Sequence, residues 1–191
     1  MLSEGAAIDI DEATAVARAR DGDLDAYEVL VTRFTAPAHR AALLLGAGSD
    51  ADDVVQEAFV KAHRQLARYR GDAGFKAWLL AIVANETRNL VRSRRRREGL
   101  WLRAAVREDP LQWEPDPAES AMARERRQLL VEQLRALDHR DREILLCRYL
   151  LDLSEAETAV TLDVPKGTVK SRTARALARL RDRLPEGVRG A

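Results

Sequence analysis

Apolar residues recur along the chain at intervals of three and four, the mark of helices with one packed face, and alternating runs that would predict strands are scarce. Four helices can be placed in the first half. Asp11 to Arg20 is short and stops at Gly22, and Asp23 to about Leu45 is longer and stops at Gly46. Ser49, with Asp52 three positions on, reads as a capping box opening a third helix. There Val54, Val55, Ala58, Phe59 and Ala62 form an apolar stripe that leaves Asp53, Gln56, Glu57 and Lys61 outside. The loop Arg70-Gly71-Asp72-Ala73-Gly74 interrupts the pattern. Phe75 to about Arg96 resumes it, with Trp78, Leu79, Ile82 and Val83 apolar and Asn85, Arg88, Asn89 and Arg92 on a polar face.

In the second half, Asp116-Pro117-Ala118-Glu119 reads as a cap, a first-turn proline and a first-turn acid. The stripe Met122, Leu130, Leu134 and Leu137 follows, and a further helix is expected from about Asp138 to Leu151. Ser154 and Glu157 form a second capping box, opening a short helix that must end near Asp163, because Val164-Pro165 blocks continuation. Asp163 is small and acidic and tolerates the left-handed backbone of a helix terminus. In the last helix Val169, Thr173, Ala176 and Leu180 share one side. Thr168, Ser171, Arg175 and Arg179 lie roughly opposite, with Lys170 and Arg172 on the flanks.

From Lys166 to Arg183 there are seven basic residues and one acidic one, although the chain of 191 residues is only +1 overall. Two short helices joined by a tight turn, the second basic on its outer face, suit a helix-turn-helix lodged in a major groove. A solvated Arg-rich helix is the plainer alternative. Charge is uneven elsewhere too. Residues 1 to 50 carry four basic and nine acidic side chains, and residues 51 to 100 carry eleven and six. Glu108 to Glu119 holds five acids, no base and the three prolines at 110, 115 and 117, so the segment around it reads as a linker. The expected architecture is all-α: two small helical domains, 1–97 and 117–191, joined by a flexible acidic linker, 98–116, with the helix-turn-helix in the C-terminal one.

A hydrophobic fraction of 46% with 33% charged residues describes a globular chain able to bury a core. The single Cys147 excludes an intramolecular disulfide, sits in an apolar run suited to a core, and fits a reducing cytoplasm. No signal peptide is evident, and the longest uncharged runs are far shorter than the roughly 20 residues a bilayer requires, so no membrane insertion is expected. His39, His63 and His139 are not at metal-ligand spacing, and no Gly-rich phosphate loop or nucleophile motif is present. The reading is therefore of a non-enzyme without metal or cofactor.

Asp52-Asp53-Val54-Val55-Gln56-Glu57-Ala58-Phe59-Val60-Lys61-Ala62, then Tyr69-Arg70-Gly71-Asp72 and Phe75-Lys76-Ala77-Trp78-Leu79, resembles the second conserved region of bacterial sigma factors. Pro165-Lys166-Gly167-Thr168-Val169-Lys170-Ser171-Arg172 resembles the recognition helix of their fourth region. Order, spacing and length are similar to the extracytoplasmic-function group, from about Asp11 to Leu184.

The resemblance implies an alternative sigma factor that binds bacterial core RNA polymerase and promoter DNA, with an anti-sigma factor as a further candidate partner. It implies polymerase docking through Asp53, Gln56 and Glu57. It places the next helix and the preceding loop at the minus-ten element, where Arg70, Lys76, Trp78, Asn85, Arg88, Asn89 and Arg92 supply an aromatic platform, amides for base edges and cations for phosphate. Trp78 suits the helix's apolar stripe equally well, so a core role stays open, and Arg94 to Arg97 are expected phosphate contacts. It assigns Lys166, Thr168, Lys170, Ser171, Arg172 and Arg175 to the minus-thirty-five element. The acidic run Glu108 to Glu119 would enter the polymerase's nucleic-acid path, with a plain tether as the alternative.

Thr158 and Thr161 depart from the pattern, standing where larger aliphatics are usual, and Asp163 stands where Gly is usual. The competing reading is a dimeric helix-turn-helix regulator working without polymerase. An RNA-binding or scaffold protein fits less well. The segment Asp52 to Phe59 discriminates, because a simple repressor has no need of it.

Overall fold

The computed structural model describes residues 10–98 and 120–185, and the described chain is helical throughout. It divides into two compact units, Met1 to Glu108 and Asp109 to Ala191. The first contains α1 (Glu12–Arg20), α2 (Leu24–Leu45), α3 (Ala51–Gln65) and α4 (Gly74–Glu98). The second contains α5 (Ala121–Arg135), α6 (His139–Leu145), α7 (Glu155–Leu162) and α8 (Lys166–Arg183). The expected linker, apart from Glu98 at the end of α4, and the expected cap at Asp116 to Glu119 lie outside the described residues.

Side-chain caps start the first two helices where the sequence places them. Asp11 accepts from the amide of Thr14 and Asp23 from that of Ala26, both at 3.0 Å. These bonds hold both carboxyls below their usual range; the hydroxyl of Thr14 contributes most at Asp11 and the amide of Ala26 most at Asp23. Gly46 ends α2 in the left-handed region at φ 105°, a conformation that costs a side-chain-bearing residue.

The start of α3 differs from expectation. Ser49 lies within a 3-10 turn, Gly48–Asp50, so Ser49 and Asp52 do not frame the helix as a capping box. Asp50 takes the N-cap position without a side-chain capping bond, because its carboxylate reaches Arg94 on α4 at 2.8 Å. Asp52 instead lies 3.2 Å from Nε2 of His39.

The first core is made where α2, α3 and α4 meet. Leu30, Phe34, Val54, Val55, Phe59, Phe75, Leu79, Leu80 and Val83 are buried, with Ala26, Ala38, Ala58 and Ala62 letting the helices approach closely. The predicted α3 stripe is buried in full. Thr87, fully buried on α4, donates its hydroxyl to the carbonyl of Val83 at 2.9 Å and so leaves no orphaned polar group.

In the second unit the apolar stripe of α5 is only half used. Leu134 and Leu137 are buried, but Met122 and Leu130 are 63% and 38% exposed, because among the described residues α5 meets the unit's core through its C-terminal end. The helix expected from Asp138 to Leu151 is capped by Asp138 and changes character midway, passing from α6 into a π turn, Leu146–Leu150. The extra residue of that turn still brings Leu146 and Cys147 into the core. Asp152 then takes φ 51°, and Arg148 donates to the carbonyl of Leu153, closing the turn into α7.

Candidate functional site

The helix-turn-helix forms as the residues predict. Ser154 accepts from the amide of Glu157 at 3.2 Å while the Glu157 carboxylate accepts from the amide of Ser154 at 2.7 Å, completing the capping box. Asp163 ends α7 at φ 54°, ψ 53°, and Pro165 caps α8 in extended conformation. Val169, Ala176 and Leu180 anchor α8 in the core, with Thr173 half-buried beside them.

That anchoring turns the other side of α8 outward. Lys166, Lys170, Ser171 and Arg175 are exposed, and Thr168 and Arg172 are half-buried at the edges. The hydroxyl of Ser171 donates to the carbonyl of Thr168 at 3.3 Å, and Nε of the exposed Arg175 donates to the carbonyl of Ser171 at 3.4 Å. Arg179 is a different case. It pairs with the buried carboxylate of Asp141, and Arg183 donates to the carbonyl of Ala136 at 2.8 Å, so the far end of α8 is tied to its own unit.

On α3, Asp53, Gln56 and Glu57 are all exposed at spacings of three and four, which puts them on one face. Lys61 extends this face and joins it to α4: its ammonium lies 3.2 Å from Glu57 and 2.6 Å from Glu86. The bond to Glu86 leads in raising the Lys61 pKa above the usual lysine value, so the cation is secure.

Beside this face the sequence reading missed an apolar groove between α2 and α3, about 560 Å³ in volume, floored by Tyr27, Val31, Val55 and Phe59 and bordered by Gln56. Leu24 at 67% and Val60 at 38% exposure stand on its rim. Tyr27 donates its hydroxyl to the carbonyl of Phe59 at 2.6 Å and meets His63 edge-on; burial pushes its pKa up to about 12. The apolar rim positions were the available signal, but Leu24 and Val60 fall outside the stripe that marks a packed face.

On α4, Asn85, Asn89 and Arg92 are exposed along one face and Arg88 is half-buried beside them, donating to the Asn85 side-chain oxygen at 3.0 Å. Arg70 is exposed in the preceding loop and Lys76 is half-buried in the first turn. Trp78 is half-buried in a cluster of rings, 5.1 Å from Tyr69 and 5.6 Å from Phe75 between centroids, so it belongs partly to the core and partly to the surface. Arg94 pairs with Asp50. Arg96 is exposed, and the side chains of Arg95 and Arg97 lie outside the described residues. Among the described residues no cluster of His, Cys, Asp or Glu could hold a metal ion, and no helix is long and apolar enough to cross a membrane.

Residues 30–97 match the family model of sigma-70 region 2, and residues 127–180 match that of sigma-70 region 4. The ECF RNA polymerase sigma-E factor of Escherichia coli K12 is 35% identical over 170 residues, covering 84% of this chain and 87% of the relative. The chain belongs to the extracytoplasmic-function group of the sigma-70 family. The RNA polymerase sigma factor NccH of Alcaligenes xylosoxydans xylosoxydans is 34% identical over 173 residues, covering 90% of this chain and 92% of that one.

Among solved structures, CnrH in complex with the cytosolic domain of CnrY is 28% identical, with a TM-score of 0.63 over 88% of this chain and 94% of that one. The sigma factor RpoE of Bartonella quintana shares the fold at 23% identity, with a TM-score of 0.64 over 82% and 95% of the two chains. As an alternative sigma factor, the protein directs transcription initiation by bacterial RNA polymerase at promoter DNA.

Proposed function

We propose that this sigma factor divides its work among three surfaces. Asp53, Gln56 and Glu57 dock core polymerase, with the α2–α3 groove as the apolar part of that contact. Arg70, Lys76, Trp78, Asn85, Arg88, Asn89 and Arg92 capture and hold the minus-ten element. Lys166, Thr168, Lys170, Ser171, Arg172 and Arg175 read the minus-thirty-five element. Residues 1–97 and 117–191 act as the two working domains, joined by 98–116, and the protein performs no catalysis of its own. It works in the cytoplasm, where polymerase is.

The observation that carries this reading is α3: an exposed acidic face with an apolar groove beside it, on a unit that does not contain the helix-turn-helix. A repressor that binds DNA by itself has no use for such a face. A regulatory protein partner is part of the proposal, supported by CnrH, which was solved with the cytosolic domain of CnrY. An anti-sigma factor could compete for the α3 face that polymerase needs.

Reconstitution with core polymerase tests the reading. The chain alone is expected to bind promoter DNA weakly, and the assembled enzyme tightly and selectively, with start sites mapping to a discrete promoter set. Tight, selective binding by the chain alone as a dimer would support the repressor reading instead.

A further inference from the structure

Between Phe75 and Arg96, α4 carries one carboxylate, Glu86, amid four arginines and one lysine besides the amides of Asn85 and Asn89. Glu86 follows Asn85 directly and lies three positions before Asn89, on the flank that faces α3. Its side chain is 17% exposed, and Lys61 of α3 reaches it at 2.6 Å. The same ammonium lies 3.2 Å from Glu57, whose side chain is 50% exposed. One cation thus serves two carboxylates, one beside the face assigned to DNA and the other on the face assigned to polymerase.

We propose that Lys61 is a positioning residue that masks Glu86, cancelling the negative charge that Glu86 places beside the DNA-binding face of α4 and sharing that duty with its bond to Glu57. An unmasked carboxylate next to Asn85 and Asn89 repels a phosphate backbone approaching the same face. When a cation on the docking partner takes Glu57, Lys61 is left wholly to Glu86. Polymerase docking on α3 therefore improves the electrostatics of the DNA face on α4 without any movement of the helices. The inference rests on assigning the α4 face to the minus-ten element, and it adds a role for two residues outside that face.

The test uses holoenzyme assembled from core polymerase and purified before assay, with a fork template whose minus-ten nontemplate strand is already single-stranded. Lys61→Met keeps the aliphatic stem and removes the charge; it is expected to weaken fork binding about tenfold at low ionic strength. The deficit should shrink as salt is raised. Glu86→Gln alone is expected to bind at least as tightly as the parent. The double variant, Lys61→Met with Glu86→Gln, should return to the Glu86→Gln level, because no charge remains to be masked.

A bridge that merely holds α3 to α4 predicts the reverse: both single variants weakened, and the double variant no better than Lys61→Met. That result overturns the mask. Asn89→Ala and Arg92→Ala run alongside separate the two layers of the argument. If they weaken fork binding and Glu86→Gln gives no rescue, the mask alone is wrong. If they too leave fork binding unchanged, α4 does not present this face to DNA and both readings fall.

Discussion

The carboxylate of Glu12 accepts a hydrogen bond from the backbone amide of Phe75 at 2.9 Å, across 63 residues of sequence. The first helix of the chain thereby caps the helix that carries the Asn85–Asn89 face. Gly74, the first residue of α4, has φ 75° and no side chain with which to satisfy the first turn, and a negative charge at a helix N-terminus is favoured by the backbone dipole. Glu12→Ala is expected to cost about 1 kcal/mol, the usual range for a lost cap. Urea denaturation of the full chain measures the loss, and hydrogen exchange at Phe75 locates it. Parent-like protection of that amide would show that the cap is not what holds the start of α4.

That bond also marks where the sequence stopped being legible. The α3 stripe, the Ser154–Glu157 box and the left-handed Asp163 depend on neighbours within a few positions, so spacing alone reveals them. Glu12 with Phe75, Asp50 with Arg94, Lys61 with Glu86 and Asp141 with Arg179 join residues on different helices. Nothing local distinguishes those side chains from solvated ones. The same limit explains the misjudged positions: the period of α5 is helical along its length, but among the described residues of their unit no element covers Met122 and Leu130. Likewise, an apolar groove bordered by Gln56 requires two helices in register, which periodicity within either helix cannot show.

Thr158 supplies a stability prediction. It is fully buried on α7, and its hydroxyl finds no hydrogen-bond partner among the described residues. Burying such a group without a partner costs on the order of 1–3 kcal/mol, whereas a methyl group of the same shape carries no such penalty. Thr158→Val should therefore stabilise the helix-turn-helix unit by about 1 kcal/mol and leave DNA preference unchanged, since the position faces the core. A thermal melt of the full chain that shifts downward would show that the hydroxyl is satisfied in solution.

Docking is tested by charge reversal. Asp53 and Glu57 are exposed and lie off the apolar stripe of α3, so replacing both with Lys should leave helicity intact. Against a complementary surface, like charges slow encounter and weaken the complex. Co-purification with core polymerase is expected to fall at least about tenfold, an effect that electrostatic steering alone can reach. Normal recovery with an unchanged circular dichroism spectrum would remove these residues from the interface.

Lys170, Arg172 and Arg175 make separable predictions on α8. Replacing a residue that reads a base costs roughly 1–3 kcal/mol and relaxes preference at one promoter position, whereas loss of a phosphate contact weakens every sequence alike and lowers the salt slope by about one. Arg175 already spends Nε on the carbonyl of Ser171 and Arg172 is half-buried, so exposed Lys170 has the greatest freedom to follow the phosphate backbone. Its Ala variant should show the uniform loss. Selection from a promoter library with each variant in holoenzyme distinguishes the two patterns, and parent-like behaviour by all three would sink the assignment of α8 to the upstream element.

Asn85 and Asn89 separate melting from binding. Opening a duplex costs stacking and pairing energy, which must be offset by contacts made only to the separated strand. The two amides stand exposed on one face of α4, with the guanidinium of Arg88 donating to the Asn85 side-chain oxygen, which leaves that residue's NH2 group as the donor for a base edge. Replacing both with Ala leaves α3 and α8 untouched. Assembly with polymerase and recognition of the upstream element should therefore remain near the parent's, while transcription from linear duplex promoters falls. A template with a premelted bubble should recover much of the loss, because the cost of strand separation has been removed beforehand. Permanganate footprinting on both templates reports opening directly. If the double variant opens duplex promoters as well as the parent does, this face of α4 does not hold the minus-ten strand, and the apparent match of amides to base edges is incidental to its surface.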